Sequence, residues 1–220
     1  MELEIYTDSD GRQYTKDSLI NGIKNAALNF EGNFEFLDIK ELENLKGSAV
    51  VNQHAWTSAM ARYSHLLGLN KVGQIVIMAN VIVESGNFKW WNELGYGKGK
   101  PYGKPDGPYN QIYFGRGPIQ VTWYDQYKLI YDNFFRKNGL TEYDIVKDPN
   151  LAIKPEIGAY LSIGWLVCTS NGKNAIKEAN AGNVKSCCRW INGRYNHLKE
   201  RQLIAQALAA KAHVQINLDK

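Results

Sequence analysis

The sequence predicts a mainly α fold: a helical bundle around a central buried helix, with a small β/loop region forming a cleft. Three observations lead there. Apolar residues recur at helical spacing from residue 52 onward. One segment, VGQIVIMANVIVES (72–85), is apolar on most faces, as expected of a helix buried all round. Residues 94–117 carry seven glycines and three prolines, a density at which regular elements do not persist.

Taken in order, residues 2–15 read as a small hairpin around Asp10-Gly11. The string Asp8-Ser9-Asp10-Gly11 resembles the opening of a calcium loop. No glutamate follows at the required distance, so a turn is expected. Residues 16–29 and 38–46 read as helices. Composition then shifts at Lys46-Gly47-Ser48, which divides an N-terminal appendage or small subdomain (1–47) from the main domain (48–220). NQHAWTSAMARYSHLLG is a helix ending at Gly68. The β-branched residues of 72–85 also suit a strand, but its length favours a helix. The glycine-rich stretch 94–117 is a long loop, and long ordered loops are usually functional. Its Gly95–Lys100 run lacks the strand–loop–helix context of a phosphate cradle. Helices resume at 125–137, 154–168, 172–180, 183–191 and 197–212, with no internal repeat.

With 220 residues, 44% hydrophobic and 22% charged, the chain is long enough for one sizeable core. No segment approaches the roughly 18 apolar residues of a membrane span. The N-terminus is acidic and has no apolar signal core. Cys168, Cys187 and Cys188 are an odd set with two adjacent members, so reduced thiols in a cytoplasmic setting are expected. No Cys/His spacing suggests a metal, and no cofactor is implied. Net charge is +4, unevenly spread: residues 1–47 carry ten acidic and five basic side chains, and residues 48–220 carry twelve and twenty-one. A basic body suits an anionic polymer, or simply solubility. The aromatics do not form the basic–aromatic pattern of a nucleic-acid module, so neither nucleic acid nor membrane is an expected partner.

Two carboxylates stand out. Glu84 closes the apolar run Val81-Ile82-Val83, and Glu93 follows Trp90-Trp91-Asn92. A carboxyl against apolar side chains keeps its proton to higher pH, and one among polar groups stays ionised. Together they would make the acid and base that glycosidic hydrolysis needs. On one continuous helix nine residues span roughly 13 Å. Inverting glycosidases hold their carboxyls about 6.5–9.5 Å apart. The helix must therefore break between them, and Gly86 is the expected breaker. Read alone, the pair fits equally well a buried helix end and an ordinary surface carboxylate.

Three segments carry a resemblance. They are Glu84-Ser85-Gly86 with Glu93, then Tyr113-Phe114-Gly115-Arg116-Gly117-Pro118-Ile119-Gln120-Val121-Thr122-Trp123, then Trp190-Ile191-Asn192-Gly193 followed by Arg201. In this order they resemble the catalytic domain of glycoside hydrolase family 19, which includes chitinases and phage endolysins, over about residues 52–212. The resemblance implies a lysozyme-like α+β fold. It implies Glu84 as general acid, Glu93 as general base, and Thr122 as the hydroxyl that holds the attacking water. Gln120 and Asn192 match residues that bind the sugar or tie the cleft. Arg116 and Arg201 match arginines near the carboxylates, whose charge would keep Glu93 ionised. Trp91 and Tyr113 are candidate sugar-stacking rings. Val83 stands in place of a common histidine, Gln126 in place of an asparagine, and Asn192-Gly193-Arg194 lacks a second glycine.

The activity so implied is inverting hydrolysis of β-1,4 bonds in a polysaccharide containing N-acetylglucosamine. Pro118 and Trp123 look like the chitinase version of the motif. The stretch from Asn174 to Gly193 looks like the compact endolysin version. With the basic body, this favours bacterial peptidoglycan over chitin. An enzyme with no visible signal would wait in the cytoplasm and reach the wall by holin-type release or lysis. A glycan-binding module without catalysis is the alternative of another class.

Overall fold

The computed structural model describes residues 48–216 and, ahead of them, the backbone of two short strands. These are β1 (Ile5–Thr7) and β2 (Gln13–Thr15), paired antiparallel with Tyr6 opposite Tyr14. That register centres on Asp10, as the expected hairpin requires. The turn itself, the helices expected over 16–29 and 38–46, and the boundary at 46–47 lie outside the described residues.

Eight α-helices make up the described body. Helix α1 (Ser48–Arg62) starts four residues earlier than the pattern suggested, and α2 (Ser64–Leu67) ends at Gly68 with φ 56°. That is the left-handed geometry in which glycine ends helices. Asn70 then caps α3 (Lys71–Glu84), its side chain accepting from the Gly73 amide at 2.7 Å. Helix α4 (Tyr124–Ile130) runs on through a π turn (Tyr131–Phe135) and a 3-10 turn (Arg136–Asn138), together the single helix expected at 125–137. A 3-10 turn at Pro149–Ile153 leads to α5 (Pro155–Cys168), which opens on a proline, suited to a first turn with no amide bond to make. Thr169 caps α6 (Ser170–Asn180), Asn183 caps α7 (Val184–Asn192), and α8 (Leu198–Lys211) closes the body.

The core is built on two buried helices where one was expected. In α3, Ile75 to Ala79 are wholly buried, and in α5 every residue from Ile157 to Leu166 is buried. Helix α3 packs on α6, α7 and α8, and α5 packs on α1 and α6. Both buried helices pack on α6. The three cysteines are unpaired thiols. No described helix is long and apolar enough to cross a membrane. Among the described residues no group of three His, Cys, Asp or Glu side chains is placed to hold a metal ion.

Candidate active site

Helix α3 stops where the glutamate spacing demanded. Ser85 Oγ donates to the Val81 carbonyl at 2.7 Å and accepts from the Phe88 amide at 2.9 Å. Gly86, Asn87 and Phe88 then take φ of 56°, 60° and 62°, three left-handed residues in a row. Glycine, and to a lesser degree asparagine, adopts this conformation cheaply; Phe88 costs roughly 1–2 kcal/mol. Burial of the Phe88 ring and a 2.8 Å bond from Asn52 Nδ2 to its carbonyl hold the turn in place. The result reverses the chain immediately after Glu84.

Glu84 does not face an apolar wall, as the run before it had suggested. Its Oε1 accepts from Arg201 Nη2 at 2.5 Å and from Asn192 Nδ2 at 2.9 Å. Arg201 is 1% exposed and fully engaged, with Nη1 on the Asn80 carbonyl and Asn80 Oδ1 and Nε on the Asn196 carbonyl. The negative end of the α3 dipole lies at Glu84, so a cation and an amide donor there offset it. The apolar run packs the core, but the last side chain of a helix turns toward whatever the next elements supply. Here α7 supplies Asn192 and α8 supplies Arg201.

Glu93 sits in the glycine-rich region, which is more ordered than its composition suggests. Bridges pair Asn92 with Arg116 and Arg116 with Val121, and the Glu93 amide donates to the Gly115 carbonyl at 2.8 Å. This small antiparallel patch is the β/loop region. The Glu93 carboxylate accepts from Tyr102 Oη at 2.8 Å on one oxygen and from the Gly115 amide at 3.2 Å on the other. Burial first, then that carboxylate, push the Tyr102 phenol up to about 12. The two glycines of the motif differ in how tightly they are packed. A Cβ on Gly115 would stand 2.8 Å from Gln120 Oε1. One on Gly117 (φ 73°) would stand 2.3 Å from the Gly158 carbonyl of α5.

Beyond the patch, Gln120, Thr122, Trp123 and Gln126 line a cavity of about 580 Å³ with Ile191 of α7 and the α5–α6 junction at Cys168 to Asn171. Gln120 Nε2 donates to the Gly117 carbonyl at 2.9 Å. Gln120 and Trp123 both have positive φ, 58° and 73°. Two such non-glycine residues on either side of Thr122 store about 1–3 kcal/mol each, a strain that persists at sites whose surroundings over-determine it. Glu84 and Glu93 do not line this cavity; Asn192, which bonds Glu84, directly follows its lining residue Ile191.

Four candidates are placed differently from expectation. Trp91 and Tyr113 are 5% and 1% exposed and offer no face to a sugar; the Tyr113 hydroxyl donates to the Val146 carbonyl at 2.7 Å. The exposed rings nearby are Trp90, lying against Gly86, and Trp123, edge-on to Tyr102 at 5.6 Å. Arg116 is buried, its guanidinium 3.5 Å from the Phe114 ring centroid and bonded to the Phe114 and Ile112 carbonyls, Tyr127 and Asn150. It braces the patch and does not touch Glu93. Arg201 pairs with Glu84, not with Glu93. Tyr102 was not anticipated; it is one of four tyrosines in the glycine-rich loop, and nothing local marks it from the others.

No protein-family model matches the chain, and no curated protein does. Solved structures do. A bacterial family 19 chitinase is 19% identical, with a TM-score of 0.55 over 89% of this chain and 94% of that one. Chitinase C from Streptomyces griseus is 19% identical, with a TM-score of 0.56 over 90% and 94%. A class IV family 19 chitinase from Zea mays is 21% identical, with a TM-score of 0.52 over 90% and 92%. At this identity the likeness speaks to architecture, and the architecture is plain: the chain has the fold of these family 19 chitinases.

Proposed function

We propose that the protein is an inverting glycoside hydrolase that cuts β-1,4 bonds in an N-acetylglucosamine-containing polymer, with bacterial peptidoglycan as its substrate. The observation that carries this reading is the pair of half-buried glutamates, each held by donors, on either side of the left-handed turn in a chitinase fold. Glu84 is the general acid. Arg201 and Asn192 both bind its Oε1, which leaves Oε2 as the oxygen to face the glycosidic bond. Glu93 is the base, steadied by Tyr102 and the Gly115 amide while it draws a proton from water. Thr122 holds that water. Asn192 Nδ2 holds Glu84 in place from α7.

Peptidoglycan is favoured by the charge of the body, twelve acidic against twenty-one basic side chains over 48–220. Chitin is the second reading, favoured by the solved chitinases that share the fold. Both polymers present the same bond to the same carboxylates.

Digestion of purified bacterial walls and of chitin oligomers, with analysis of the products, tests both. Inverted anomers from walls are expected. Glu84→Gln keeps both bonds to Oε1 possible, so the fold should hold while activity falls by roughly 10²–10⁴-fold. Retained anomeric configuration would refute the roles given to Glu84 and Glu93. Binding of glycan without cleavage of either polymer would leave a binding module.

A further inference from the structure

We propose that α7 and the turn after it form a contact face for the anionic groups of the wall polymer, set beside the carboxylate that cuts it. This rests on the glycosidase reading above. From Ala179 to Lys199 the chain has no aspartate or glutamate, yet it carries Lys185, Arg189, Arg194 and Lys199. Helix α7 turns Val184, Cys187 and Cys188 into the core and leaves Lys185, Arg189 and Trp190 exposed. Arg194 and Tyr195 of the following turn are exposed too, and Lys185 Nζ lies 5.8 Å from the centroid of the Tyr195 ring. Among the described residues, none of Lys185, Arg189 and Arg194 has a carboxylate partner.

Helix stability does not account for this cluster. Lys185 stands in the first turn of α7, the positive end of the dipole, where a cation is unfavourable. Lys185 and Arg189 are four residues apart, where like charges repel. Only Arg189, in the last turn, is placed as a helix would favour. A cationic face that works against its own helix is explained by what it meets.

Its position indicates what that is. Asn192 of the same helix donates to Glu84, so Arg189 and Arg194 flank the residue that binds the acid. Trp190 and Tyr195, 36% and 46% exposed, put rings among the cations. Rings pack on the apolar faces of sugars, and guanidinium groups pair with carboxylates or phosphates. Neutral chitin offers no such anion. A wall polymer does, in the carboxylates of its peptide stems or the phosphodiesters of attached polymers.

The test is the double variant Arg189→Glu/Arg194→Glu in the full chain, assayed on bacterial walls and on neutral chitin oligomers. Wall lysis should fall at least about tenfold, and its dependence on salt should flatten as the Debye length shrinks from ~30 Å to ~3 Å between about 0.01 and 1 M. Cleavage of neutral oligomers should stay within about twofold of wild type, which also reports an intact fold. Equal loss on both substrates, or loss on neither, overturns the proposal. If wild type cuts neither polymer, the glycosidase reading fails; co-sedimentation of wild type and variant with the same walls then decides the contact face by itself. Walls stripped of phosphodiester polymers separate the two anions. A defect that persists on them assigns the face to stem carboxylates, and one that vanishes assigns it to phosphodiesters.

Discussion

Single hydrogen bonds govern the two carboxylates, and Tyr102 is the most exposed to test. Its hydroxyl is the only side-chain donor described on Glu93; the other contact is the Gly115 amide. A bond to a charged group contributes about 1.5–3 kcal/mol. If Tyr102 orients the base, Tyr102→Phe lowers kcat roughly tenfold or more while KM holds within about twofold, because the ring stays against Trp123 and only the hydroxyl is lost. Steady-state kinetics on soluble oligomers separate the two constants. A rise in KM with kcat unchanged would make Tyr102 a sugar contact instead. At this scale the sequence is a poor guide to environment. The string Val81-Ile82-Val83 before Glu84, buried only at Val81, says nothing of Asn192 and Arg201, which arrive from 108 and 117 residues away.

At the scale of elements, the site depends on close approach of the small β patch to α5. Gly117 has φ 73°, and a Cβ there would meet the Gly158 carbonyl at 2.3 Å, backbone that cannot swing aside. Gly139, at φ 72°, faces open space. Gly139→Ala should therefore cost only the conformational penalty, roughly 1–2 kcal/mol. Gly117→Ala adds a clash and should cost about 2–5 kcal/mol, with activity lost as Gln120 and the patch shift. Urea unfolding of the two variants measures the difference; equal costs would mean that α5 yields. Elements of this kind were legible where hydrophobic period and caps act locally. The helices at 154–168, 183–191 and 197–212 agree with α5, α7 and α8 to within a residue or so. The helix break at Gly86 was legible too, since the spacing of two carboxylates demanded it. The second buried helix was not singled out, because its burial depends on what packs on it. Nor was the order of residues 94–117, which comes from the Glu93–Gly115 and Arg116–Val121 backbone bonds that no local pattern encodes.

The molecule as a whole carries a record of its packing in its phenols. Tyr127 is wholly buried, its hydroxyl donating to the Phe114 carbonyl and accepting from Arg116 beneath the patch. Burial pushes it up to about 12, against the lowering pull of Arg116, and burial pushes Tyr113 up to about 12 as well. The folded value lies above the roughly 10 of an unfolded tyrosine. The sign follows from linkage: the unfolded chain gives up its phenolic protons first, so stability is fully present below pH 10 or so and is lost as pH rises through the folded value. For Tyr127 alone that loss is about 3 kcal/mol. Urea midpoints should therefore be level to about pH 9.5 and fall steeply by about pH 12, in step with tyrosinate absorbance. Tyr127→Phe should start from a lower midpoint, since Arg116 loses an acceptor, but fall less on the alkaline side. A variant that falls as far as wild type would place the ionising phenols elsewhere, with Tyr113 the next to examine.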